Sequence, residues 1–258
     1  MVSQLKKIDT SIIERAIPIP SEEWNWNKIR SIKIIESNEP LVPLSLVPEH
    51  ILCRPQYYIQ GIGNSLPECY SRKGVLLRLL KASSRLPSEY KLVILDAWRP
   101  ITVQQSLFDT LKERIMKENP LISEEEAIKE TLKFVALPSK DPNKPSPHNT
   151  GGAIDLTIAD ENGLFLNMGT DYDDTTEKAR TTYFEEKVRR GEKLSEEEEE
   201  ALKNRRLLYN IMIDAGFTNY FDEWWHYDYG NQNWAWLSGK DNAIYGKAKV
   251  KFTWKEFD

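Results

Sequence analysis

One ten-residue stretch organises the sequence: Ser-Pro-His-Asn-Thr-Gly-Gly-Ala-Ile-Asp at residues 146–155, which we interpret together with Glu-Trp-Trp-His at residues 223–226. The chain has three histidines, and two of them lie in these segments. Neutral imidazole is the commonest protein ligand of zinc, and a catalytic zinc usually keeps three protein ligands and one open position. The two segments offer one such set of ligands: His148, Asp155 and His226.

These three side chains predict one zinc ion per chain. Two neutral imidazoles and one carboxylate would leave the ion with net positive charge, so water bound to it would lose a proton near neutral pH. Glu223 lies three residues before His226 and is the candidate general base for that water. Singly, each ligand is more typical of a hydrogen-bonded histidine or a strand-end aspartate, and the combination favours a metal site.

The same residues carry a resemblance to a known family. The pattern Ser-x-His-x-x-Gly-x-Ala-x-Asp is complete from Ser146 to Asp155 and is followed by Glu-x-Trp-His at the second segment. It resembles the zinc D-alanyl-D-alanine dipeptidases of the VanX type. The resemblance extends through residues 92–100, 167–173 and 205–230. It implies an α+β fold like that of the zinc D,D-peptidases and Hedgehog-like proteins, in which a small antiparallel sheet carries the zinc ligands and helices pack against it.

The resemblance also implies an activity, the zinc-dependent hydrolysis of free D-alanyl-D-alanine to two D-alanines. In similar enzymes the residue matching Glu223 takes a proton from the attacking water and returns it to the leaving amine. The arginine matching Arg99, which follows an aromatic residue as it does here at Trp98, stabilises the oxyanion. The alternative interpretation of Arg99 is an ion pair with a surface carboxylate.

A free dipeptide is a zwitterion, so its pocket needs an anion for the ammonium and donors for the carboxylate. By resemblance Asp173 holds the amine, whereas Ser146 and neighbouring backbone N–H groups are candidates for the carboxylate. A loop-capping aspartate and a turn serine are the alternatives. The family also has a tyrosine near the amine, for which Tyr57 and Tyr58 are both candidates.

Composition limits the class of protein and its partners. The 258 residues are 40% hydrophobic and 29% charged, as in ordinary globular proteins, and the net charge of −5 gives no support for nucleic-acid binding. No apolar run follows the N-terminal lysines, so we expect a cytoplasmic protein without membrane contact. Cys53 and Cys69 form no metal-binding pair, and we expect free thiols. The oligomeric state stays open.

Two regions are expected: an N-terminal extension, residues 1–50, packed on a catalytic domain, residues 51–258. Proline is frequent in the extension and favours extended segments and turns over long helices. Trp24 and Trp26 within it are interpreted as buried anchors. Residues 231–258, which include Trp254, predict a closing strand and turn region.

Hydrophobic patterning predicts the elements around the two motifs. Lys-Leu-Val-Ile-Leu-Asp at residues 91–96 is typical of a buried central strand, and residues 153–158 alternate so that Asp155 and Thr157 should face the cleft. Gly151 and Gly152 are expected to let the backbone approach the metal. Helices are predicted at residues 71–86 with Ser71 as N-cap, at 103–118, at 123–135 behind a capping box, and from a second capping box at Ser195 and Glu198 to Gly216.

Two other functions share parts of this pattern. One is a D,D- or L,D-carboxypeptidase or endopeptidase acting on peptidoglycan stems, for which the pocket would be open at the amine end. The other is a zinc-binding module without turnover. The presence of both Glu223 and Arg99 argues against the second.

Overall fold

The computed structural model describes residues 10–132, 134–135 and 137–250. Trp254 and residues 1–9 of the predicted extension lie outside the described residues, as does Lys133 of the predicted third helix. The described chain forms the following elements in order: α1 (Thr10–Glu14), α2 (Trp26–Ser31), β1 (Lys33–Ile34), β2 (Leu41–Pro43), β3 (Ile51–Cys53), α3 (Gln56–Ile59), β4 (Tyr70–Arg72), α4 (Lys73–Ser83), β5 (Lys91–Asp96), α5 (Ile101–Glu118), α6 (Glu124–Thr131), β6 (Ala153–Ala159), α7 (Tyr183–Arg189), α8 (Glu196–Asp214), β7 (Thr218–Asn219), β8 (His226–Asp228), α9 (Gln232–Leu237) and β9 (Asn242–Ala243).

A five-stranded sheet lies at the centre of the protein, in the strand order β3-β5-β6-β8-β7. Neighbouring strands in it are antiparallel, except that β3 and β5 are parallel. A parallel pair requires a crossover connection, and α4 lies between these two strands in the chain. The predicted α+β class is confirmed, and the sheet departs from a purely antiparallel one at this edge.

The two longest strands of the sheet, β5 and β6, are buried. β5 has the bounds predicted from its apolar run. On β6 one face joins the main hydrophobic core through Ile154, Leu156 and Ile158, as predicted. The other face was expected to line the cleft, but Thr157 is only 1% exposed. Because side chains alternate along a strand, Thr157 shares its face with Ala159, which belongs to a second apolar cluster with Val93 and Leu95 of β5.

The helices agree with the sequence where a local signal marks their start. Capping boxes open α6 at Ser123 and α8 at Ser195, as predicted. α8 ends just before Gly216, which has a φ of +99°. α5 begins at Ile101, two residues before the predicted start, and α6 ends at Thr131, four residues before the predicted end. α4 begins at Lys73 and not after Ser71, because Ser71 belongs to β4 and pairs with β2.

The N-terminal residues contact the core at several points. α1 packs on α8, where the Asn210 amide donates to the carbonyls of Ile12 and Arg15 at 2.8 Å each. The Trp24 ring packs edge-on against Trp236, with centroids 5.0 Å apart. Trp26 is 40% exposed, so the prediction that it is a buried anchor is wrong.

Residues 231–250 include helix α9, which the prediction of strand and turn missed. Cys53 and Cys69 are free thiols, as predicted. Among the described residues, no helix combines the length and apolar character that crossing a bilayer requires.

Candidate active site

The ligand candidates lie on three adjoining pieces of backbone. His148 opens a 3-10 turn, His148–Thr150, that leads into β6. Asp155 lies on β6, and His226 is its direct cross-strand partner on β8. Residues directly opposite in an antiparallel pair have neighbouring side chains, so this register closes a gap of 71 residues in sequence. All three side chains are buried.

The separations between the three ligand atoms suit a small tetrahedral ion. His148 Nε2 lies 3.3 Å from His226 Nδ1 and 3.4 Å from Asp155 Oδ1, and the last two atoms are 2.9 Å apart. Bond lengths of about 2.0–2.1 Å in a tetrahedral zinc site place ligand atoms about 3.3 Å from one another. Imidazole nitrogen and carboxylate oxygen are ligands that zinc accepts, so the residues present fit this metal.

The second ring nitrogen of His148, which points away from the other two ligands, also has hydrogen-bond partners. His148 Nδ1 lies 2.7 Å from the Ala97 carbonyl oxygen and 3.2 Å from Asp96 Oδ2. A proton on Nδ1 satisfies these acceptors and leaves the Nε2 lone pair directed at the other two ligands. In the sequence Asp96 is only the last residue of the predicted strand at 91–96, and nothing in its spacing predicts this contact.

Two glycines shape the turn that carries His148. Gly151 has a φ of +71°, and a Cβ there would lie 2.5 Å from Leu41 Cδ2. A Cβ on Gly152 would lie 2.4 Å from the Tyr229 carbonyl oxygen. The glycines therefore let the turn pack against neighbouring protein atoms, and the expected approach of backbone to the metal stays a prediction.

Glu223 lies beside the three ligands. Its Oε2 is 3.7 Å from His226 Nδ1, and 37% of its side chain is exposed. Burial raises the pKa of Glu223; the charge of His226 opposes this rise, and the charge of Asp155 adds to it. Water in the cleft screens part of the shift because the side chain is partly exposed. A carboxylate with a raised pKa beside a metal site is suited to proton transfer.

Arg99 lies across the site, 11% exposed, with its Nη2 3.9 Å from Asp155 Oδ2. Its Nε and Nη2 both donate to Asp96 Oδ2, at 2.9 and 2.7 Å, and Nη1 donates to Gln104 at 2.7 Å. Burial opposes the charge, but Asp96 raises the pKa of Arg99 well above its usual range. The arginine is therefore a fixed cation next to the ligands and not a surface ion pair.

Asp173 is reached from the ligands through two tyrosines. Tyr172 donates to Asp155 Oδ2 at 2.9 Å, and its hydroxyl lies 3.1 Å from that of Tyr57. Tyr57 in turn donates to Asp173 Oδ1 at 3.4 Å, whereas Tyr58 is 51% exposed. Of the two tyrosines left open by the sequence, Tyr57 is the one beside Asp173. Tyr172 was missed, although it lies within the segment that the resemblance covers.

Burial raises the pKa of Asp173 to about 7, and the charge of Asp155 adds to this. The residue as a whole is exposed, so solvent screens part of the shift. Ser146 lies at the start of the His148 turn, where its carbonyl accepts from the Asn149 N–H at 3.0 Å. Its role toward a substrate carboxylate stays a prediction.

Comparison with known proteins places the chain in a family. The sequence model of the D-Ala-D-Ala dipeptidases matches residues 65–244, and a D-alanyl-D-alanine dipeptidase of Synechocystis sp. is 32% identical over 80% of this chain and 88% of its own length. The chain belongs to the D-Ala-D-Ala dipeptidase family. The dipeptidase of Escherichia coli is 29% identical over 62% of this chain and 66% of its own. The predicted resemblance is confirmed.

Two solved structures are similar to this dipeptidase family member at low sequence identity. VanYB in complex with D-alanine-D-alanine has a TM-score of 0.35 at 14% identity, over 67% of this chain and 80% of that one. A zinc complex of the D,D-pentapeptidase VanY has a TM-score of 0.38 at 14% identity, over 84% and 96%.

Family membership makes the protein a zinc metallopeptidase, and the predicted zinc cofactor agrees with the buried His-Asp-His group. His148, Asp155, His226, Glu223 and Arg99 all lie within the matched residues. Tyr57 and the N-terminal helices precede them.

Proposed function

We propose that this family member hydrolyses the free dipeptide D-alanyl-D-alanine to two D-alanines, with zinc held by His148, Asp155 and His226. The observation that carries the proposal is the geometry of these three ligand atoms, 2.9 to 3.4 Å apart, with Glu223 3.7 Å from His226 and Arg99 3.9 Å from Asp155. The choice of substrate is supported by the relatives, which are D-alanyl-D-alanine dipeptidases.

When bound, zinc supplies a Lewis acid that polarises the scissile carbonyl and makes water more acidic. Glu223 accepts the proton from the attacking water and afterwards donates it to the leaving amine. Arg99 has five N–H groups, of which its contacts with Asp96 and Gln104 use three. The remaining N–H groups are available to the carbonyl oxygen as negative charge develops on it.

Asp173 and the Tyr57 hydroxyl would receive the substrate ammonium. The Tyr57 hydroxyl donates one hydrogen bond to Asp173, at 3.4 Å, so the carboxylate can still accept a hydrogen bond from a second donor. The Tyr57 ring lies under the Arg99 guanidinium, 4.8 Å from it, so the amine end and the reacting carbonyl are held by residues in mutual contact. Ser146, two residues before His148, would meet the substrate carboxylate.

The proposal extends to the organisation and location of the protein. Residues 1–50 form an extension on a catalytic domain of residues 51–258, supported by the packing of α1 on α8 and the pairing of β2 with β4. The proposed location is the cytoplasm, where a free dipeptide would be met before it enters a larger molecule.

Release of D-alanine from D-alanyl-D-alanine by the zinc-loaded protein tests the proposal. L-alanyl-L-alanine and a peptidoglycan stem pentapeptide are assayed in parallel, and bound zinc is measured in each sample. Selective cleavage of the D,D-dipeptide is expected. Cleavage of the pentapeptide alone would favour a carboxypeptidase, and zinc binding without any cleavage would favour the non-catalytic module.

The variant Glu223→Ala tests the assignment of the base. It should bind zinc and lose hydrolysis, because Glu223 is not one of the three ligands. Asp222→Ala is the matched control, since Asp222 is the adjacent carboxylate, 55% exposed and paired with Arg180 at 3.6 Å. Activity retained by Glu223→Ala, or lost equally in both variants, would contradict the assignment.

A further inference from the structure

A buried carboxylate lies directly behind His226. His226 and Asp228 are two residues apart on β8, and residues at this spacing on a strand point to the same face. His226 Nδ1 faces the other two ligands, whereas its Nε2 lies 3.2 Å from Asp228 Oδ2. Asp228 is 0% exposed and so cannot reach a substrate in the cleft.

The position of this carboxylate is fixed by two amides from the segment that follows β8. The Asn233 side chain donates to Asp228 Oδ2 at 2.9 Å, and the Asn231 side chain donates to the other oxygen, Oδ1. Asn231 is itself fixed as the N-cap of α9, where its Oδ1 accepts from the Trp234 N–H at 3.0 Å. Both carboxylate oxygens are thereby occupied, and Asp228 has no freedom to rotate away from His226.

A fully buried carboxylate is unfavourable unless a cation or strong donors balance it. The Asp228 carboxylate contacts two neutral amides and the His226 ring, and no lysine or arginine forms an ion pair with it in the described part of the chain. Its charge is therefore balanced through the imidazole, and a divalent cation on the far side of that ring would complete the balance.

We propose that Asp228 is a positioning residue for the metal, which fixes the tautomer and orientation of His226 and strengthens zinc binding. A proton on Nε2 is donated to Asp228, so the Nδ1 lone pair points at the metal position. The inference rests on the zinc site of the proposed function. His148 Nδ1 also has a carboxylate at 3.2 Å, that of Asp96, but its nearest acceptor is the neutral Ala97 carbonyl at 2.7 Å, and Asp96 is paired with Arg99 at 2.7 Å. The two histidines thus differ in their outer contacts, because the acceptor at His226 is a carboxylate held by neutral amides.

Zinc affinity, measured by competition with a chromophoric chelator, tests this role without relying on turnover. Asp228→Asn should bind zinc about 10–100-fold more weakly than the wild type, the range typical of lost outer contacts to a histidine ligand. Asn233→Ala keeps the Asp228 carboxylate and removes one of the two amides that donate to it. Its zinc affinity should therefore also fall, but by less than that of Asp228→Asn. At saturating zinc, the Asp228→Asn enzyme should lose kcat with little change in KM.

Glu185→Gln is the matched control. Glu185 is also a buried carboxylate, 6% exposed, but it pairs with Arg206 at 2.6 Å, away from the metal ligands. This variant should lose stability and keep wild-type zinc affinity. Folded Asp228→Asn protein that binds zinc within twofold of the wild type would overturn the inference.

If Asp228→Asn does not fold, Asn233→Ala decides, and an unchanged zinc affinity in that variant overturns the inference. If the wild type itself binds no zinc, the proposed function fails. That outcome is distinguishable from failure of the Asp228 role alone, in which wild type and variants bind zinc equally.

Discussion

Replacing Arg205 with lysine should destabilise the protein and loosen the segment that carries Asp173. Arg205 lies on α8 and is 2% exposed. Its guanidinium donates to three carbonyls of this segment, those of Met168 and Arg180 at 2.7 Å and of Lys178 at 2.8 Å. One planar cation therefore joins the two ends of the stretch between residues 168 and 180.

The expected loss can be estimated from these contacts. A lysine ammonium is a point donor and cannot span three carbonyls that a guanidinium fork reaches, so two buried carbonyls lose their partner. Each such group costs about 1–3 kcal/mol, which gives a loss of about 2–6 kcal/mol in the free energy of unfolding. KM for the dipeptide should rise because Asp173 is no longer held in place.

The variant should also acquire a pH dependence. Burial lowers the pKa of Arg205 to about 9. A lysine at this position would be desolvated in the same way, so its folded-state pKa should lie below its usual value of about 10.4. The unfolded lysine then binds more protons than the folded one below about pH 10, so stability relative to the wild type rises as the pH approaches that value.

Urea denaturation of wild type and Arg205→Lys at pH 7 and pH 9 measures both effects. Arg206→Lys is the control, because Arg206 is the next residue on α8 and forms a two-pronged pair with Glu185 at 2.6 and 2.7 Å. The Arg206→Lys variant should be less stable than the wild type, but its stability relative to the wild type should not rise with pH, and its KM should be unchanged. The reasoning would be refuted if Arg205→Lys had the wild-type unfolding midpoint at pH 7. It would also be refuted if the difference in unfolding free energy between wild type and variant were not smaller at pH 9 than at pH 7.

Three further predictions concern the site. Gly152→Ala should lower stability by about 1–3 kcal/mol in thermal melts, because its Cβ would lie 2.4 Å from a backbone oxygen, and a wild-type melting temperature would contradict this. Burial raises the pKa of Asp173 to about 7, and solvent screening and bound zinc lower it from that value. kcat/KM should therefore decrease at acid pH as Asp173 takes up a proton. The Asp173→Asn variant should lose this acid limb and have a higher KM. Dialysis against a chelator should abolish activity and lower the melting temperature, and zinc at 100 times its Kd should restore about 2.7 kcal/mol of stability. A melting temperature indifferent to zinc would argue against a site in the folded protein.

The sequence predicted features that depend on neighbouring residues. β5 could be bounded from six residues because a central strand buried on both faces is a continuous apolar run. The starts of α6 and α8 followed from capping boxes, in which both hydrogen bonds are made within four residues. The ligand candidates could be named because two short motifs contain them.

Tertiary contacts explain what the sequence did not predict. Ser71 stands where the N-cap of a helical pattern is expected, but pairing with β2 places it in a strand. Arg205 lies in a charge-rich helix that is typical of a solvated face, yet the carbonyls it binds come from a segment that reaches it only in the folded state. Asp228 is two residues beyond a recognised ligand, and its contact with that ligand requires both the strand conformation of β8 and the amides that follow it.

The distribution of charge gives a physical reason for a divalent cation at this position. Burial alone would raise the pKa of Asp155, but the charges and hydrogen bonds of the two histidines hold it below its usual range. Burial raises the pKa of Glu223 and of Asp173, and the Asp155 charge adds to both rises. Arg99 offsets part of this negative field and is itself committed to Asp96. A cation of charge two between the ligands lowers the pKa of every carboxylate around it, so zinc binding and ionisation of the groups that meet the substrate are coupled. Weakening zinc binding should therefore also weaken binding of the substrate amine.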